Sequence, residues 1–279
     1  MLNELKRKFK IKDVDTGVAG WKDKRAVTRQ WVSIPAESFD EQVLSQLKDI
    51  KVLEYKNHDT KLRTGKLKGN KFTIVIRDVN SDAINSAKNT LSLLSEHGLP
   101  NFYGEQRFGI DKKNAEKGKE LLLNPKIRMQ PRMKRMLISS YASYLFNSYL
   151  EKRIQKGIMT KLIFGDVAKK HDTGGVFIVD DYEKENKRAE KFEISPTGPI
   201  FGKKMTVPKD DAKKMEDELL KKEKLERDDF NSQTGTRRFL RIPLSDVKIE
   251  NMEKSIKLNF FLPRGSYATV LLGEIMKSS

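Results

Sequence analysis

The chain has 279 residues, with 56 Lys and Arg against 39 Asp and Glu, a formal net charge of +17 and no cysteine. The lack of cysteine excludes disulfides, thiolate metal ligands and a cysteine nucleophile, and it fits a reducing cytoplasm, the location we expect. No apolar run is long enough to span a bilayer. The excess of cations favours a nucleic-acid partner, because Lys and Arg bind phosphate backbones with release of counterions. An anionic membrane, or the ion-rich surface of a thermophile protein, is the alternative explanation.

The first hundred residues predict strands and helices in alternation. Alternating apolar residues predict strands over TRQWVSI and KFTIVIRD, and helical periodicity predicts helices over ESFDEQVLSQLKD and SDAINSAKNTLSLLSEH. Gly98 stands where the cap of the second helix is expected, and Pro100 follows it. Short connections between such elements are typical of an α+β or α/β sheet domain.

The pattern changes near residue 127. PRMKRMLISSYASYLFNSYLEKRIQKG predicts one long helix that ends near Gly157, and KLIFGDV and GGVFIVDDY predict short strands. Residues 182–192 are predicted to be a polar link, and DDAKKMEDELLKKEKLERDDF predicts a charged helix. The segment 127–241 is therefore predicted to be a separate, smaller domain.

The last segment returns to a sheet-like pattern. RRFLRIPL and SIKLNFFL alternate as strands do, and PRGSYATVLLGEIM predicts a turn followed by a short amphipathic helix capped by Ser266.

The histidine and glycine patterns predict neither a metal site nor a nucleotide-binding site. His58, His97 and His171 are far apart in the sequence and have no metal-ligand spacing. The glycine-basic stretches TGKLKGN, TGPIFGKK and GTRRF lack the spacing of a phosphate loop or a dinucleotide fingerprint. Carboxylates remain as the candidate catalytic groups.

One carboxylate, Asp23, lies among Lys22, Lys24, Arg25 and Arg29. A solvated surface turn is the commonest origin of such a cluster. The neighbouring cations nevertheless favour the ionised form of the aspartate, and an ionised aspartate is a competent nucleophile.

Two further stretches carry aromatic residues beside glycines. GLPNFYGEQRFG contains Asn101, Tyr103 and Arg107, a combination that suits stacking on an unstacked base and reading its edge, although a loop that anchors the core is an equal alternative. Tyr267 follows a predicted strand and a glycine, where a ring either packs in the core or covers a flipped base.

Together these stretches resemble the TruD family of RNA pseudouridine synthases, the tRNA pseudouridine(13) synthases. The matching segments are, in the family's order, AGWKDKRAVTRQW, KLRTGKLKGNKF, LPNFYGEQRFG, LFNSYLEKR, ISPTGPIFGKKM, GTRRFLRIPL and FFLPRGSYATVLLGEI. Each segment alone is weakly specific, whereas the ordered set spans nearly the whole chain.

The resemblance implies an isomerase with no cofactor that acts on tRNA without an obligatory protein partner. A uridine is extruded from the RNA, its glycosidic bond is broken, and the uracil is rotated and rejoined through C5. By the family's motifs Asp23 is the catalytic nucleophile, adding to the sugar C1′ or to the base C6. Asn101 matches a position that contacts the target uridine, and Tyr267 matches an aromatic position near the base.

The resemblance also implies the fold. It is an α+β fold in which a catalytic domain, with a mixed or antiparallel sheet flanked by helices, is interrupted by an inserted smaller α/β domain. The change of pattern assigns residues 1–126 and 242–279 to the catalytic domain and residues 127–241 to the insert.

Family members carry a further segment ahead of the catalytic aspartate, whereas 22 residues precede Asp23 here. On this comparison we expect the sequence to lack that segment. A sheet without its edge strands exposes hydrogen-bonding groups. The alternative function is therefore tRNA or RNA binding with impaired or absent catalysis.

Overall fold

The structure, a computed structural model, describes residues 1–23 and 25–277. The chain divides into two compact units, Met1–Asn70 and the residues from Lys71 onward. Both units combine helices with strand pairs, which confirms the predicted α+β class. Within the described part of the chain, every helix is too short or too polar to cross a membrane.

The first unit has a small core and little regular structure. Its elements are α1 (Leu2–Lys8) and the antiparallel strands β1 (Gly17–Val18) and β2 (Val32–Ser33). Leu5 and Phe9 on and just after α1 are buried, and apolar residues of the segment 32–50 pack against them.

The predicted α-helix over ESFDEQVLSQLKD is wrong. The structure has two 3₁₀ turns there, Ala36–Ser38 and Glu41–Gln46, the second begun by the Asp40 carboxylate, which accepts from the Gln42 amide at 2.9 Å. Short helices are unstable on their own, and the apolar side chains of this segment are partly buried by tertiary packing without forming an α-helix. The strand predicted over TRQWVSI is likewise reduced to β2.

The second unit contains the remaining elements. Its helices are α2 (Ala83–His97), α3 (Lys113–Leu123), α4 (Pro131–Gln155), α5 (Tyr182–Glu190), α6 (Asp210–Lys222) and α7 (Ala268–Met276). Its strands are β3 (Gly69–Arg77, from Lys71 onward), β4 (Leu99–Pro100), β5 (Val167–Lys170), β6 (Val176–Ile178), β7 (Ile194–Ile200), β8 (Thr236–Phe239), β9 (Arg241–Ile242), β10 (Ser245–Met252) and β11 (Ser255–Pro263). They form sheets of order β10-β11-β3, β4-β9 and β6-β5-β7-β8.

Two large hydrophobic clusters lie in this unit, beside a smaller one that includes Leu162 and Ile194. In one, α2 and α7 cover the β10-β11-β3 sheet, where the rings of Phe72 and Phe260 stack with centroids 5.3 Å apart. In the other, α4 lies at the centre, and its Leu145, Phe146 and Tyr149 are fully buried against residues of α3 and α6 and against Leu240, which precedes β9.

The helix ends of α2 and α4 agree with the sequence. Helix α2 ends before Gly98, whose φ of +86° is a backbone conformation that favours glycine. Helix α4 begins with Pro131 in its first turn and ends at Gln155, two residues before Gly157. Both predictions are confirmed.

Two local predictions are wrong. Residues 182–192 are not a link, because α5 forms there with the Asp181 carboxylate accepting from the Lys184 amide at 3.0 Å. Ser266 does not cap the last helix, since Tyr267 occupies the cap position and the Ser266 hydroxyl lies instead 3.5 Å from Asn101 Oδ1.

The division into domains 1–126 with 242–279 and 127–241 stays a prediction. The sheet β6-β5-β7-β8 falls entirely within 127–241. Helix α3, which precedes this range, shares the α4-centred core with it.

A buried ion pair fixes the end of α4. The Arg153 and Asp166 side chains are both 0% exposed, and the guanidinium donates to both carboxylate oxygens at 3.1 and 2.9 Å. Arg153 also donates to the carbonyls of Ile158 and Lys161. The buried charge is thereby both paired and hydrogen-bonded, as a charge in a protein interior must be.

We expect Asp166→Asn to lower the free energy of unfolding by about 3–5 kcal/mol, because it leaves the Arg153 charge buried without a counter-charge. Thermal or urea unfolding measures the change. As a matched control, Glu250→Gln removes the exposed Lys257–Glu250 pair and is expected to cost less than about 1 kcal/mol. Equal effects of the two variants would contradict the role given to the buried pair.

Candidate active site

Asp23 lies in the loop that joins β1 to β2. Its side chain is exposed, and so are Arg25 and Arg29, while Lys22 is partly buried. Trp21 beside it is 83% exposed, an unusual position for the largest aromatic side chain. Lys24, the remaining cation predicted around Asp23, lies outside the described residues.

Hydrogen bonds from residues 62–65 hold the base of this loop in place. The Gly65 amide donates to the Ala19 carbonyl at 2.7 Å, and the Leu62 amide donates to the Ser33 hydroxyl at 2.9 Å. Gly17 packs so closely that a Cβ there would lie 2.3 Å from the Leu62 carbonyl oxygen. The run KLRTG therefore fixes both ends of a loop whose tip carries Asp23. Among the described residues, Asp23 itself has no hydrogen bond or ion pair.

In the second unit, Asn101 follows β4 directly and is 5% exposed. Strand β4 pairs with β9, and the Asn101 amide continues this pairing by donating to the Leu240 carbonyl at 2.9 Å. The side-chain amide donates from Nδ2 to the Phe239 carbonyl at 3.0 Å. Asn101 is thus held rigidly at the end of a strand.

Arg238 on β8 fixes the other side of Asn101. Its Nη2 donates to Asn101 Oδ1 at 2.7 Å and its Nε to the Asn101 carbonyl at 3.0 Å. The same Nη2 donates to the Gly265 carbonyl at 2.9 Å, which holds the turn before Tyr267. Burial lowers the pKa of the Arg238 guanidinium from its ordinary value.

Two rings lie against the Arg238 guanidinium, and a third ring, that of Tyr267, packs on one of them. The guanidinium lies 4.0 Å from the centroid of the Tyr103 ring and 5.4 Å from that of Phe146. Tyr103 and Tyr267 meet edge to face with centroids 6.0 Å apart. Tyr267 also touches Gly104, where a Cβ would lie 2.8 Å from the ring. Burial raises the pKa of the Tyr267 phenol, which keeps it protonated at neutral pH.

A cavity of about 340 Å³ opens beside Tyr267. Its other lining residues are polar groups and one thioether, namely Gln106, Arg107, Asn114, Met136 and Ser140. This volume lies within the range of small-ligand sites. Among residues 1–23 and 25–277, no cluster of three or more His, Asp or Glu side chains is placed to hold a metal ion.

Arg107 at the edge of this cavity is oriented by α4. Its Nε and Nη2 donate to the hydroxyls of Ser143 and Ser139 at 3.0 and 2.5 Å, and its carbonyl accepts from Ser140. Asn147 pairs with the backbone of Tyr103 in both directions, at 2.8 and 3.0 Å. The helix that contains LFNSYLEKR therefore holds the NFYGEQRFG loop in place.

Of the three predicted site residues, the second unit brings Asn101 and Tyr267 together through Arg238 and Ser266. Asp23 belongs to the first unit. Arg238 and Ser266 were not predicted as site residues. The stretch GTRRF is glycine-basic in sequence, but only the pairing of β8 with its neighbours shows that Arg238 faces Asn101.

Comparison with known proteins is consistent with this geometry. The family model for tRNA pseudouridine synthase D (TruD) matches residues 1–128 and 124–275. A tRNA pseudouridine synthase D of Thermus thermophilus is 44% identical over 278 residues, covering 99% of this chain and 78% of the relative. One from an Anaeromyxobacter species is 38% identical over 287 residues, with 99% and 81% covered.

Among solved structures, a crystal structure from Methanosarcina mazei, described as a tRNA pseudouridine synthase D, superposes with a TM-score of 0.75 at 25% identity, covering 99% of this chain and 84% of that one. The α+β fold and these matches define a pseudouridine synthase, an isomerase. More specifically, the chain belongs to the TruD family of tRNA pseudouridine synthases.

We expect Arg238→Lys to lower the free energy of unfolding by about 1–3 kcal/mol, because an ammonium cannot make the forked contact with Asn101. A double-mutant cycle with Asn101→Ala should give a coupling of about 0.5–3 kcal/mol. The control Arg77→Lys, at an exposed arginine, should change stability by less than about 0.5 kcal/mol. Additive effects of the Arg238 and Asn101 changes would contradict the contact.

His171 packs on Phe239 of β8, the residue whose carbonyl accepts from the Asn101 side chain. Its ring stacks on Phe239 with centroids 4.3 Å apart and lies 2.9 Å from the Ser195 hydroxyl. Burial lowers the pKa of His171 to about 4, aided by Arg241 and Lys169 and opposed by Asp172. The folded protein therefore holds the ring neutral.

Because the folded pKa of His171 lies below the unfolded one, its contribution to stability is complete above about pH 6.5 and is lost as the pH falls toward 4. We expect a loss of about 1–2 kcal/mol, reduced from the full linkage value because the ring is partly exposed. Unfolding measured from about pH 7.5 to 4 should show it, and His171→Gln should flatten that slope. The exposed His97→Gln is the control, and an equal flattening by it would rule out His171 as the source.

Proposed function

We propose that the protein converts uridine 13 of tRNA to pseudouridine, with Asp23 as the nucleophile. In this isomerisation the bond from C1′ to N1 breaks and a bond from C1′ to C5 forms. The proton leaves C5 and N1 gains one, so the atoms and electrons balance without a cofactor. The carboxylate of Asp23 acts on the flipped uridine at C1′ or at C6.

One observation carries the assignment of Asp23. Its carboxylate is exposed at the tip of a loop that is braced at both ends, and among the described residues it makes no bond that would have to break before reaction. The loop lies in the part of the chain that the family model matches. The exposed Arg25 and Arg29 supply positive charge for an RNA backbone.

Asn101 and Tyr267 are proposed to hold the target base. The Asn101 Nδ2 atom carries two N–H groups, of which one donates to Phe239 within the described residues. The second remains for a uracil carbonyl. Tyr267, beside a cavity of about 340 Å³, offers a ring against which an extruded base can pack.

The proposal also covers the arrangement of the domains and the cellular location of the protein. Residues 1–126 and 242–279 form the catalytic domain, and residues 127–241 form the inserted domain. A self-contained antiparallel sheet within 127–241 supports this arrangement. A tRNA substrate and the +17 net charge support action in the cytoplasm, where tRNA is found.

We expect Asp23→Asn to reduce pseudouridine formation at least about 1,000-fold, because an amide is not a nucleophile of comparable strength. Substrate tRNA is incubated with each protein, and pseudouridine is mapped nucleotide by nucleotide. The wild-type chain should give a signal at position 13.

The matched control is Asp59→Asn, which replaces an exposed aspartate of the same unit and should leave the rate within about twofold of wild type. Wild-type turnover by the Asp23 variant would sink the nucleophile assignment. A signal at another uridine would keep the chemistry and overturn the position.

A further inference from the structure

A second cation approaches the Asn101 site from strand β5. The Lys169 ammonium donates to the Arg237 carbonyl at 3.3 Å and lies 5.1 Å from the centroid of the Phe239 ring. Both contacts are to β8, on either side of Arg238 in sequence. Lys169 therefore stands next to the guanidinium that orients Asn101.

The PRGS turn brings a third cation to the same place. Arg238 donates to the Gly265 carbonyl, which directly follows Arg264 in the chain. Burial lowers the pKa of Lys169, and the positive charges of Arg264 and Arg238 lower it further. Lys169 is thus close enough to Arg238 and Arg264 for their positive charges to act on its ammonium.

No acidic side chain offsets the first two of these charges. Among the described residues, Lys169 and Arg238 form no ion pair with a carboxylate, and their acceptors are carbonyl and amide oxygens. By contrast, the buried Arg153 and Arg237 each have a carboxylate partner, Asp166 and Glu216. Repulsion between partly buried cations costs free energy that an external anion would recover.

Access to solvent distinguishes Lys169 from Arg241, a buried cation that also has no carboxylate partner among the described residues. Arg241 is 2% exposed, and its guanidinium is enclosed by the carbonyls of His97 and Ala189. Lys169 is only partly buried, and one of its three N–H groups has an acceptor in the described residues. Two N–H groups therefore remain for an anion that arrives from solvent.

We propose that Lys169 and Arg238, with Arg264 beside them, bind one phosphodiester group of the substrate RNA. The proposal rests on the proposed function in that the ligand is the RNA, and it adds the contact that sets the RNA's register. Phosphate contacts position a nucleic acid while base contacts specify it. A phosphate held here places the adjoining nucleotide beside Asn101 and Tyr267.

The test measures equilibrium binding of substrate tRNA from about 50 to 300 mM salt, in the Asp23→Asn background so that no turnover occurs. Lys169→Met removes the charge and keeps an unbranched side chain of similar length. We expect about tenfold weaker binding at the lowest salt and a slope of log K against log salt that is smaller by about one. Lys169→Arg should restore the slope.

Lys170→Met is the matched control. Lys170 is the next residue of the same strand, so its side chain points to the opposite face, and it is exposed. The Lys170→Met variant should keep the slope of log K against log salt that the Asp23→Asn protein shows. A merely structural role of Lys169, packing on Phe239, would change thermal stability and leave the salt slope unaltered.

An unchanged slope in Lys169→Met, or an equal decrease in the Lys170 variant, would overturn the phosphate site. If Lys169→Met does not fold, Lys169→Gln replaces it under the same criteria. These outcomes are separate from the catalytic assignment, because pseudouridine formation by Asp23→Asn is measured independently of the salt slope of Lys169.

Discussion

The second unit of this protein depends on the forked contact of Arg238 with Asn101. One guanidinium, from β8, binds the side chain and backbone of the residue after β4 and the carbonyl of Gly265 before α7. The first and last of these segments, at Asn101 and Gly265, are more than a hundred residues apart in the sequence. A planar group with donors in fixed directions can join them in a single geometry, which a flexible ammonium cannot. The position of Tyr267 follows from that junction.

The aromatic rings make this buried charge tolerable. Tyr103 and Phe146 lie against the guanidinium, and their electron-rich faces offset part of the desolvation cost. Asn147 of α4 in turn fixes the backbone of Tyr103. The α4-centred core therefore holds the side chains of this candidate site in fixed positions.

Two pairs of buried or partly buried cations in the second unit have different physical roles. Arg153 and Arg237 are buried with carboxylates and serve the fold. Among the described residues, Lys169 and Arg238 lie beside the aromatic cluster without a carboxylate partner, so their positive charges have no counter-charge there. The first unit presents Asp23 in the opposite way, as an exposed anion among exposed cations on a braced loop.

The sequence alone determined the limits of α2 and α4, because periodicity and helix caps are local properties. Its ordered motifs indicated the family, and the α+β class followed from that resemblance. The sequence also singled out Asp23, Asn101 and Tyr267 as candidates. It did not predict α5, the 3₁₀ turns at 36–46 or the true position of Ser266, since side-chain caps and tertiary packing override weak local preference there. Only the tertiary structure decided that Arg238 orients Asn101 and that Lys169 joins it, because strand pairing brings together residues that no spacing in the sequence relates.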